Sequence, residues 1–223
     1  MNPEGKPRKD SLELIASEVR KCTKCPLSAT RTNAVPGEGN PSAQIMFIGE
    51  GPGFNEDRQG RPFVGAAGAF LNELLQSVGL RREDVFITNV VKCRPPGNRD
   101  PLPEEIQACS CYLDRQIEII KPAVIVTLGR YSMARYFPNE RISRIHGQPR
   151  RIGDLTVVPL FHPAAALHQP ALKETSISDF KKIPKIVEEA LADRASSRSI
   201  DQDDRDDNDN NDNIENLEQL KLF

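Results

Sequence analysis

Five cysteines are the first residues in this sequence whose types and spacing could do chemistry. Cys22 and Cys25 form a C-x-x-C pair, and Cys93 and Cys109 lie 16 residues apart. Four thiolates can hold a structural zinc ion or a 4Fe–4S cluster. The wide second pair favours the cluster, because zinc ribbons use two tight pairs, and four small buried thiols are the remaining alternative. Cys111 follows on the same predicted helix, points elsewhere and is interpreted as a core thiol.

A glycine-rich loop, GEGPGFNEDRQGRPFVG at residues 49–65, follows the apolar run at 44–48. A turn of this kind after a strand often binds phosphate through its backbone N–H groups. Here the loop carries Glu50, Glu56 and Asp57, whose carboxylates would repel phosphate. The loop is therefore expected to bind another kind of ligand.

Two further polar side chains occur where apolar runs end. Asn89 lies in ITNVV, and His162 lies in FHPAAAL. A buried Asn can be a hydrogen-bonding core residue, or it can read an amide-like ligand through one acceptor and two donors. A lone His is more often structural than catalytic. The position of His162 at a strand end, opposite the glycine-rich loop, makes it a candidate for catalysis.

Four short apolar runs rich in Val and Ile predict buried strands, and the stretches between them have helical periodicity. The predicted strands are 44–48, 85–91, 123–128 and 155–160, and the predicted helices are 11–21, 66–78, 103–120, 130–137 and 176–192. Strands alternating with helices predict an α/β fold with three layers, α/β/α, around a central four-stranded parallel sheet. The segments 49–65, 92–101 and 161–169 should meet at the carboxyl edge of that sheet.

The chain of 223 residues has room for one sizeable α/β domain with extensions. It contains neither a membrane-spanning apolar run nor a signal peptide, so we expect a cytoplasmic protein with no membrane segment. Of its 32 acidic and 30 basic side chains, nine acids and four bases lie in residues 194–223, which leaves the remainder with a charge of +3. That charge permits a nucleic-acid partner.

The motifs GEGPGFNED, GRPFVG, NVVKCRPP and FHPAA occur in this order, with C-x-x-C upstream. Together they resemble the family 4 uracil-DNA glycosylases, the iron–sulfur branch of the uracil-DNA glycosylase superfamily, over residues 10–190. The resemblance implies a monofunctional enzyme that flips uracil out of DNA and hydrolyses its N-glycosidic bond, leaving an abasic site in base excision repair. It also implies a structural 4Fe–4S cluster bound by Cys22, Cys25, Cys93 and Cys109.

The resemblance also assigns roles around the flipped base. Phe63 would stack on uracil, Asn89 would bond its O4 and N3–H edge and reject cytosine, and His162 would donate a hydrogen bond to charge developing on O2. Thymine would be excluded by a bulky side chain, and Phe54 and Glu56, both in the glycine-rich loop, are the two candidates for this role. The other predicted substrate-binding residues belong to the glycine-rich loop: Gly49, Glu50, Gly51, Pro52 and Gly53.

The attacking water requires a residue that positions it, and the resemblance does not assign one. Other branches of the superfamily use an Asp at the position of Gly51, and family 4 lacks it. A neighbouring carboxylate can orient water and stabilise a cationic sugar. We predict Glu50 first and Glu56 second for this role, with Asp57 as a turn cap instead.

Further predictions concern contacts with DNA. Leu167 is the candidate wedge for the gap left by the flipped base, with a core position in the loop as the equal alternative, and Asn98 is a predicted DNA contact. Ala164 replaces the Ser that many relatives carry after His-Pro, which puts one phosphate contact in doubt. Arg144-Ile145-His146 spells the RIH motif of a covalent branch, but lies outside the corresponding insertion, so His146 is interpreted as a non-covalent loop residue.

The two ends of the chain are predicted to lie outside the glycosylase domain, which spans 11–192. Residues 1–10 should be flexible, and 193–213, almost free of apolar side chains, should form a disordered acidic linker. Residues 214–223 are apolar again and end in QLKLF. This pentapeptide resembles the sliding-clamp-binding motif of bacteria, and its predicted clamp-binding residues are Gln219, Leu220, Leu222 and Phe223.

The sequence therefore predicts a monomeric uracil-DNA glycosylase whose partners are uracil-containing DNA and a sliding clamp. One alternative is a glycosylase with a broader range of deaminated bases, such as hypoxanthine. A second alternative is a non-enzymatic iron–sulfur protein that binds DNA as a polymerase accessory.

Overall fold

A computed structural model describes residues 10–196, and a six-stranded sheet lies at its centre. The strands are β1 (Glu38–Gly39), β2 (Ile45–Gly49), β3 (Phe86–Asn89), β4 (Val124–Leu128), β5 (Arg150–Ile152) and β6 (Leu155–Leu160). Their order is β1-β3-β2-β4-β6-β5, with the four central strands parallel and both edge strands antiparallel. The predicted α/β class is confirmed, and the four predicted strands form the parallel centre.

Two short edge strands were not expected from the sequence. β1 has two residues and β5 has three, and neither has the buried apolar pattern of the central strands. They pair because they lie beside β3 and β6, whose outer backbone groups would otherwise be unpaired. The sheet is therefore mixed and six-stranded, where a four-stranded parallel sheet was predicted.

The central strands are apolar because helices cover both of their faces. In β2, the side chains of Met46 and Ile48 pack with one apolar cluster, and Phe47 packs with another on the opposite face. All five residues of β2 are buried. Continuous apolar sequence is what a strand in the middle layer of a three-layer fold requires.

Nine α-helices flank the sheet in the described part of the chain. They are α1 (Leu12–Lys21), α2 (Phe54–Gln59), α3 (Ala66–Ser77), α4 (Pro103–Ile120), α5 (Arg130–Ala134), α6 (Ile142–Ile145), α7 (Pro163–His168), α8 (Pro170–Phe180) and α9 (183–196). Residues of α3, α7, α8 and α9 pack on one face, and residues of α4, α5 and α6 pack on the other. α1 lies against α4, where a separate small core contains the cysteines.

Helix boundaries match the sequence signals at α1, α3 and α4 and differ further along. The hydroxyl of Ser11 accepts from the backbone N–H of Leu14 and caps α1 as expected. The helix predicted over 130–137 ends at Ala134. The helix predicted over 176–192 is two helices, α8 and α9. Pro184 explains the break, because proline can occupy the first turn of a new helix but cannot continue an old one.

The C-terminal helix extends four residues into the segment predicted to be a linker. Arg194 in α9 donates hydrogen bonds to the backbone carbonyls of Lys121, Pro122 and Asp154, which explains why the helix continues to 196. Residues 1–9 and 197–223, which include the rest of the predicted linker and the clamp-binding peptide, lie outside the described residues. Every helix within 10–196 is too short or too polar to cross a membrane.

Candidate active site

A cavity of about 390 Å³ opens at the carboxyl edge of the parallel strands. It lies where the chain, after placing β3 on one side of β2, crosses to place β4 on the other, as is common for ligand sites in open α/β sheets. Its walls come from the segments after β2, β3 and β6, which the sequence predicted to converge. The lining residues are Glu50, Gly51, Pro52, Gly53, Glu56, Phe63, Ala67, Asn89, Pro95, Asn98, Arg99, His162 and Ala164.

Asn89 supplies the most deeply buried polar group of this cavity. The residue ends β3, is 2 % exposed, and its Oδ1 atom has no hydrogen-bond partner among residues 10–196. An unpaired buried acceptor is costly, and one that faces a cavity can be completed by a ligand or a water molecule. Gly49 lies beside it at the end of β2, so close that a Cβ there would overlap Oδ1 of Asn89.

Phe63 forms an aromatic wall of the cavity in an unusual backbone conformation. Its φ angle is 51°, in the left-handed region that bulky residues rarely adopt, and the residue is 5 % exposed. The backbone of Gly68 passes directly beneath it, and a Cβ at Gly68 would overlap the Phe63 carbonyl group. A ring held this way offers one face to a ligand without being free to move.

Two charged side chains hold the Phe63 backbone in place. Glu56 Oε1 accepts hydrogen bonds of 2.8 Å from the N–H groups of both Val64 and Gly65. From the other side, Arg82 donates to the Phe63 carbonyl at 3.0 Å and is itself paired with Glu38 at 2.8 Å. Several independent bonds therefore maintain a strained conformation, as is usual at functional sites.

His162 adjoins Phe63, with ring centroids 5.6 Å apart and planes inclined by 27°. Desolvation lowers the pKa of His162 to about 4, although the Glu56 carboxylate acts in the opposite direction. The Ala164 N–H donates to His162 Nδ1 at 3.1 Å, so a neutral imidazole carries its proton on Nε2. Near neutral pH this ring is a hydrogen-bond donor without charge.

Glu50 follows β2 directly and lines the cavity as a partly buried carboxyl group. Desolvation, assisted by the Asp100 carboxylate, raises the pKa of Glu50 to about 7, while Arg130 opposes the rise. Arg130 and Asp100 form an ion pair beside it. A carboxyl group with a pKa near 7 can exchange a proton with water at physiological pH.

Four of the five cysteines line a second cavity, between α1, the segment after β3 and α4. They are Cys22, Cys25, Cys93 and Cys109. N–H groups donate to three of their sulfurs, namely Arg31 Nη1 to Cys93 at 3.0 Å, Lys92 N to Cys109 at 3.3 Å and Lys24 N to Cys22 at 3.5 Å. Such N–H···S bonds stabilise thiolates bound to metal.

Four thiols around one cavity can hold a single zinc ion or a 4Fe–4S cluster, and the two differ in how closely the sulfurs must approach one another. Within residues 10–196, no three His, Cys, Asp or Glu side chains are grouped closely enough to hold one metal ion. A zinc ion would require four sulfurs within about 2.3 Å of one point. In a 4Fe–4S cluster each cysteine binds a different iron, so the ligands are further apart.

Comparisons with known proteins agree with this geometry. The family model for the uracil DNA glycosylase superfamily matches residues 36–188. A type-4 uracil-DNA glycosylase of Sulfurisphaera tokodaii is 54 % identical over 187 residues, covering 79 % of this chain and 85 % of that protein. Those of Archaeoglobus fulgidus and Thermotoga maritima are 51 % and 46 % identical, covering 79 % and 81 % of this chain and 94 % and 96 % of theirs.

The chain belongs to the type-4 uracil-DNA glycosylase family. The loop after β2 has Gly51 at the position where other branches of the superfamily have an Asp, and the packing around Gly51 leaves little room for a side chain. A Cβ on Gly51 would lie 2.8 Å from Cγ2 of Val91, so a side chain at this position requires Val91 to shift. In this type-4 glycosylase, Glu56 accepts from the backbone of Val64 and Gly65, whereas the carboxylate of Glu50 has no backbone partner among residues 10–196.

Other predicted residues of the type-4 glycosylase lie around the mouth of the cavity. Asn98 lines it and is exposed, with a φ angle of 56°. Leu167 is 45 % exposed on α7, which begins directly after His162, so it is a surface residue rather than part of the loop core. Of the two side chains considered for excluding thymine, Phe54 is exposed and outside the cavity lining, whereas Glu56 lines the cavity.

Three remaining predictions concern residues outside the cavity. Asp57 is buried and accepts from the backbone N–H groups of Thr32 and Asn33, which fixes α2 against that segment. His146 Nδ1 lies 2.6 Å from Asp179 Oδ2 and does not line the cavity. Cys111 is half-buried and accepts from Lys24 Nζ at 3.3 Å, so it is not a fully buried core thiol.

Lys92 was not expected from the sequence to contribute to the site, yet it bonds to the backbone of Asn89. Its ammonium group is fully buried and donates to Thr88 Oγ1, to the Asn89 carbonyl at 2.9 Å and to Gln116 Oε1 at 2.7 Å. The sequence feature that could have indicated this role is a lysine inside the apolar run NVVKC, because a buried charge requires hydrogen-bonding partners. Arg82 carried no comparable signal, because its partner Glu38 is distant in sequence.

Proposed function

We propose that this protein is a uracil-DNA glycosylase that uses the cavity after β2, β3 and β6 to excise uracil from DNA and leave an abasic site. The observation that carries the proposal is the unpartnered Oδ1 of buried Asn89, beside the neutral imidazole of His162 and the fixed ring of Phe63. The type-4 uracil-DNA glycosylases that the chain resembles at 46–54 % identity support the same substrate.

Uracil presents an N–H group flanked by two carbonyl groups, and the cavity can match that pattern. Asn89 Oδ1 would accept from N3–H, and its amide NH2 group would donate to O4. Cytosine has an amino group at C4 and no hydrogen on N3, so both interactions become mismatched. Phe63 would stack on the extruded base, whose removal from the duplex costs a few kcal/mol.

Bond cleavage leaves the electron pair of the N-glycosidic bond on N1 of uracil, and the negative charge spreads to O2. His162 Nε2–H is the donor we assign to O2, where a single fixed donor commonly contributes about 3–4 kcal/mol to the transition state. The sugar becomes cationic at C1′. The carboxylate of Glu50 would stabilise that cation, orient the attacking water and accept its proton, which completes the hydrolysis.

We assign Glu56 a positioning role rather than a direct one. Its Oε1 atom is engaged by two backbone N–H groups that fix the conformation after Phe63. A carboxylate bound in this way would lose those bonds in order to bind water. Glu50 has no such backbone bonds among residues 10–196, and its raised pKa suits proton exchange.

We also propose that Cys22, Cys25, Cys93 and Cys109 hold a 4Fe–4S cluster of structural function. When bound, the cluster would cross-link α1, the segment after β3 and α4, and no step of the reaction uses it. Purified protein should contain four irons and four acid-labile sulfides per chain and absorb visible light. Cys93→Ser should lose iron and lower the thermal midpoint. Full stability with one zinc and no sulfide would contradict the assignment.

The C-terminal QLKLF supports a further proposal, that the enzyme binds a bacterial sliding clamp. The peptide lies outside the described residues, and the proposal rests on Gln219, Leu220, Leu222 and Phe223 at the end of a polar tether. A pull-down should retain the clamp with full-length protein and lose it after deletion of 219–223. Equal retention would contradict the proposal. The monomeric state and cytoplasmic location stay predictions.

A panel of duplexes, each with one altered base, tests the function against its alternatives. The wild-type protein should convert a uracil duplex into an alkali-sensitive abasic site and leave thymine and hypoxanthine duplexes intact. His162→Ala should lose cleavage and keep DNA binding. Cleavage at hypoxanthine would establish the broader base range, and binding without any cleavage by the wild type would establish the accessory role.

A further inference from the structure

Phe54 is a large apolar side chain that is exposed to solvent instead of being packed in the core. It follows Gly53, which lines the cavity, and begins α2, yet 52 % of it is exposed to solvent. Phe54 therefore presents an aromatic surface beside the mouth of the uracil cavity without being part of its wall. A single exposed apolar residue needs no explanation by itself, so the groups around Phe54 decide what it can bind.

Two guanidinium groups lie over the Phe54 ring. The Cζ atoms of Arg58 and Arg94 are 5.7 Å and 5.1 Å from its centroid. Within residues 10–196, neither arginine forms an ion pair with a carboxylate, whereas Arg99 and Arg130 at the same cavity edge pair with Glu105 and Asp100. The two positive charges beside Phe54 are therefore available to an external anion.

Arg94 links this surface to the cavity mouth. Its Nε atom donates to Asn98 Oδ1 at 2.7 Å, and Asn98 lines the cavity. Arg94 also follows Cys93 directly, so its backbone is fixed by a proposed cluster ligand. The surface formed by Phe54, Arg58, Arg94 and Asn98 is thus a continuation of the uracil cavity rather than a separate patch.

We propose that Phe54, Arg58 and Arg94 bind the nucleotide adjacent to the flipped uridine in the same DNA strand. This inference rests on the proposed function and adds a second binding site to it. Extrusion of uracil leaves the neighbouring base without one stacking partner, and aromatic rings and guanidinium planes stack on any base. The two unpaired guanidinium groups also match the phosphates on either side of that nucleotide.

Charge complementarity favours nucleic acid over a protein partner at this surface. A protein partner would have to supply acidic side chains around an aromatic contact, in competition with the DNA that must already lie across the cavity mouth. DNA supplies both a stacking face and anions in each nucleotide. Binding at this surface should not depend on the DNA sequence, because neither stacking nor phosphate contact distinguishes the four bases.

The decisive experiment measures coupling between Phe54 and the neighbouring base. Affinity is determined by fluorescence anisotropy with DNA containing a non-hydrolysable uridine analogue, with the flanking base present or replaced by an abasic analogue, on each side in turn. Removal of one flanking base should weaken binding by wild-type protein about tenfold and leave binding by Phe54→Ala unchanged. Phe54→Trp should restore the coupling. Absence of coupling on both sides would overturn the proposal.

Salt dependence tests the two arginines separately. Arg58→Gln and Arg94→Gln should each reduce the slope of log affinity against log salt by about 0.7–0.9, as expected for one lost phosphate contact. Arg151→Gln and Ile152→Ala serve as controls. Both residues lie in β5 beside the amino end of β6, whereas the cavity lies at the carboxyl ends of the parallel strands. These two substitutions should change neither the salt slope nor the affinity. Slopes equal to those of the controls would contradict the proposal.

These binding measurements use an analogue that cannot be cleaved, so they are independent of excision. A wild-type protein that releases no uracil would contradict the proposed function, whatever the coupling. Iron content is measured for Arg94→Gln, because the residue adjoins Cys93, and a variant that keeps its iron but loses the phosphate slope isolates the role of the side chain.

Discussion

Gly49 and Asn89 are paired in register at the ends of two neighbouring parallel strands, and no side chain fits between them. A Cβ on Gly49 would overlap Oδ1 of Asn89 and would lie 2.6 Å from Cζ of Phe63. The group proposed to read uracil and the ring proposed to stack on it therefore both require the absence of a side chain at residue 49.

Gly49→Ala should lower the single-turnover rate of uracil release by about 100-fold, because a displacement of about 1 Å at a reacting group has an effect of that size. Ile48→Val is the matched control in the same strand. It should cost about 1 kcal/mol of stability by cavity formation in the core and leave excision unchanged. Equal activities of Gly49→Ala and wild type would show that neither Asn89 nor Phe63 needs its present position.

The two cavity glutamates should respond differently to substitution. Glu50→Gln removes the proton acceptor and should reduce the rate by about 100-fold or more. Glu56→Gln keeps an oxygen that accepts from Val64 and Gly65, so it should retain most of the activity, whereas Glu56→Ala should lose it as Phe63 is released. Single-turnover rates of the three variants decide this. A larger loss in Glu56→Gln than in Glu50→Gln would reverse the assignment.

The raised pKa of Glu50 predicts the pH dependence of excision. If the carboxylate form accepts the proton of water as proposed, kcat/KM should rise with pH through about 7. Asp100→Asn removes a negative neighbour and should move the midpoint to lower pH, and Arg130→Gln should move it to higher pH. The measurement is the midpoint of the pH–rate profile. Identical midpoints in both variants would exclude Glu50 as the titrating group.

The same shift should make Glu50 a source of instability at high pH. Because the pKa of Glu50 is raised from 4.5 to about 7 in the folded state, folding binds the proton more tightly, and stability falls as pH increases between these values. Glu50→Gln should therefore raise the thermal midpoint at pH 8 and have a much smaller effect at pH 4.5. A midpoint difference that is independent of pH would contradict the shift.

His162 should be neutral at pH 7, with its proton on Nε2. Desolvation lowers its pKa to about 4, and Ala164 N–H occupies Nδ1. ¹⁵N NMR of labelled imidazole should show this tautomer and no titration between pH 6 and 8. His162→Ala should reduce the rate by about 100- to 1000-fold, the usual cost of one oxyanion donor. A ring that titrates near 6.5 would show that the histidine is not desolvated.

Much of the site could be predicted from the sequence because it depends on topology. The apolar runs of β2, β3 and β6 fix the strands, and parallel strands bring Gly49, Asn89 and His162 to one edge. The edge strands could not be predicted, because β1 and β5 form through pairing with neighbours and have no apolar pattern of their own. The division of α8 from α9 depends on Pro184, which the apolar periodicity obscured.

The roles of supporting residues depend on contacts that span long sequence separations. Lys92 meets Gln116 across 24 residues, and Arg82 meets Glu38 across 44. The sequence also does not reveal that Glu56 accepts a hydrogen bond from the backbone N–H group eight residues later. This contact is the reason for proposing different roles for Glu56 and Glu50. The sequence indicates the groups proposed to contact uracil, whereas the structure identifies the residues that hold those groups in place.

The most direct test is the amount of free uracil released, measured by mass spectrometry, from DNA with a single uracil during one turnover. We expect one uracil and one abasic site per duplex with wild-type protein, and a rate at least about 100-fold lower with Asn89→Ala, Glu50→Gln or His162→Ala. Failure of the wild-type protein to release uracil, or full activity in all three variants, would contradict the assignment of this cavity to uracil excision.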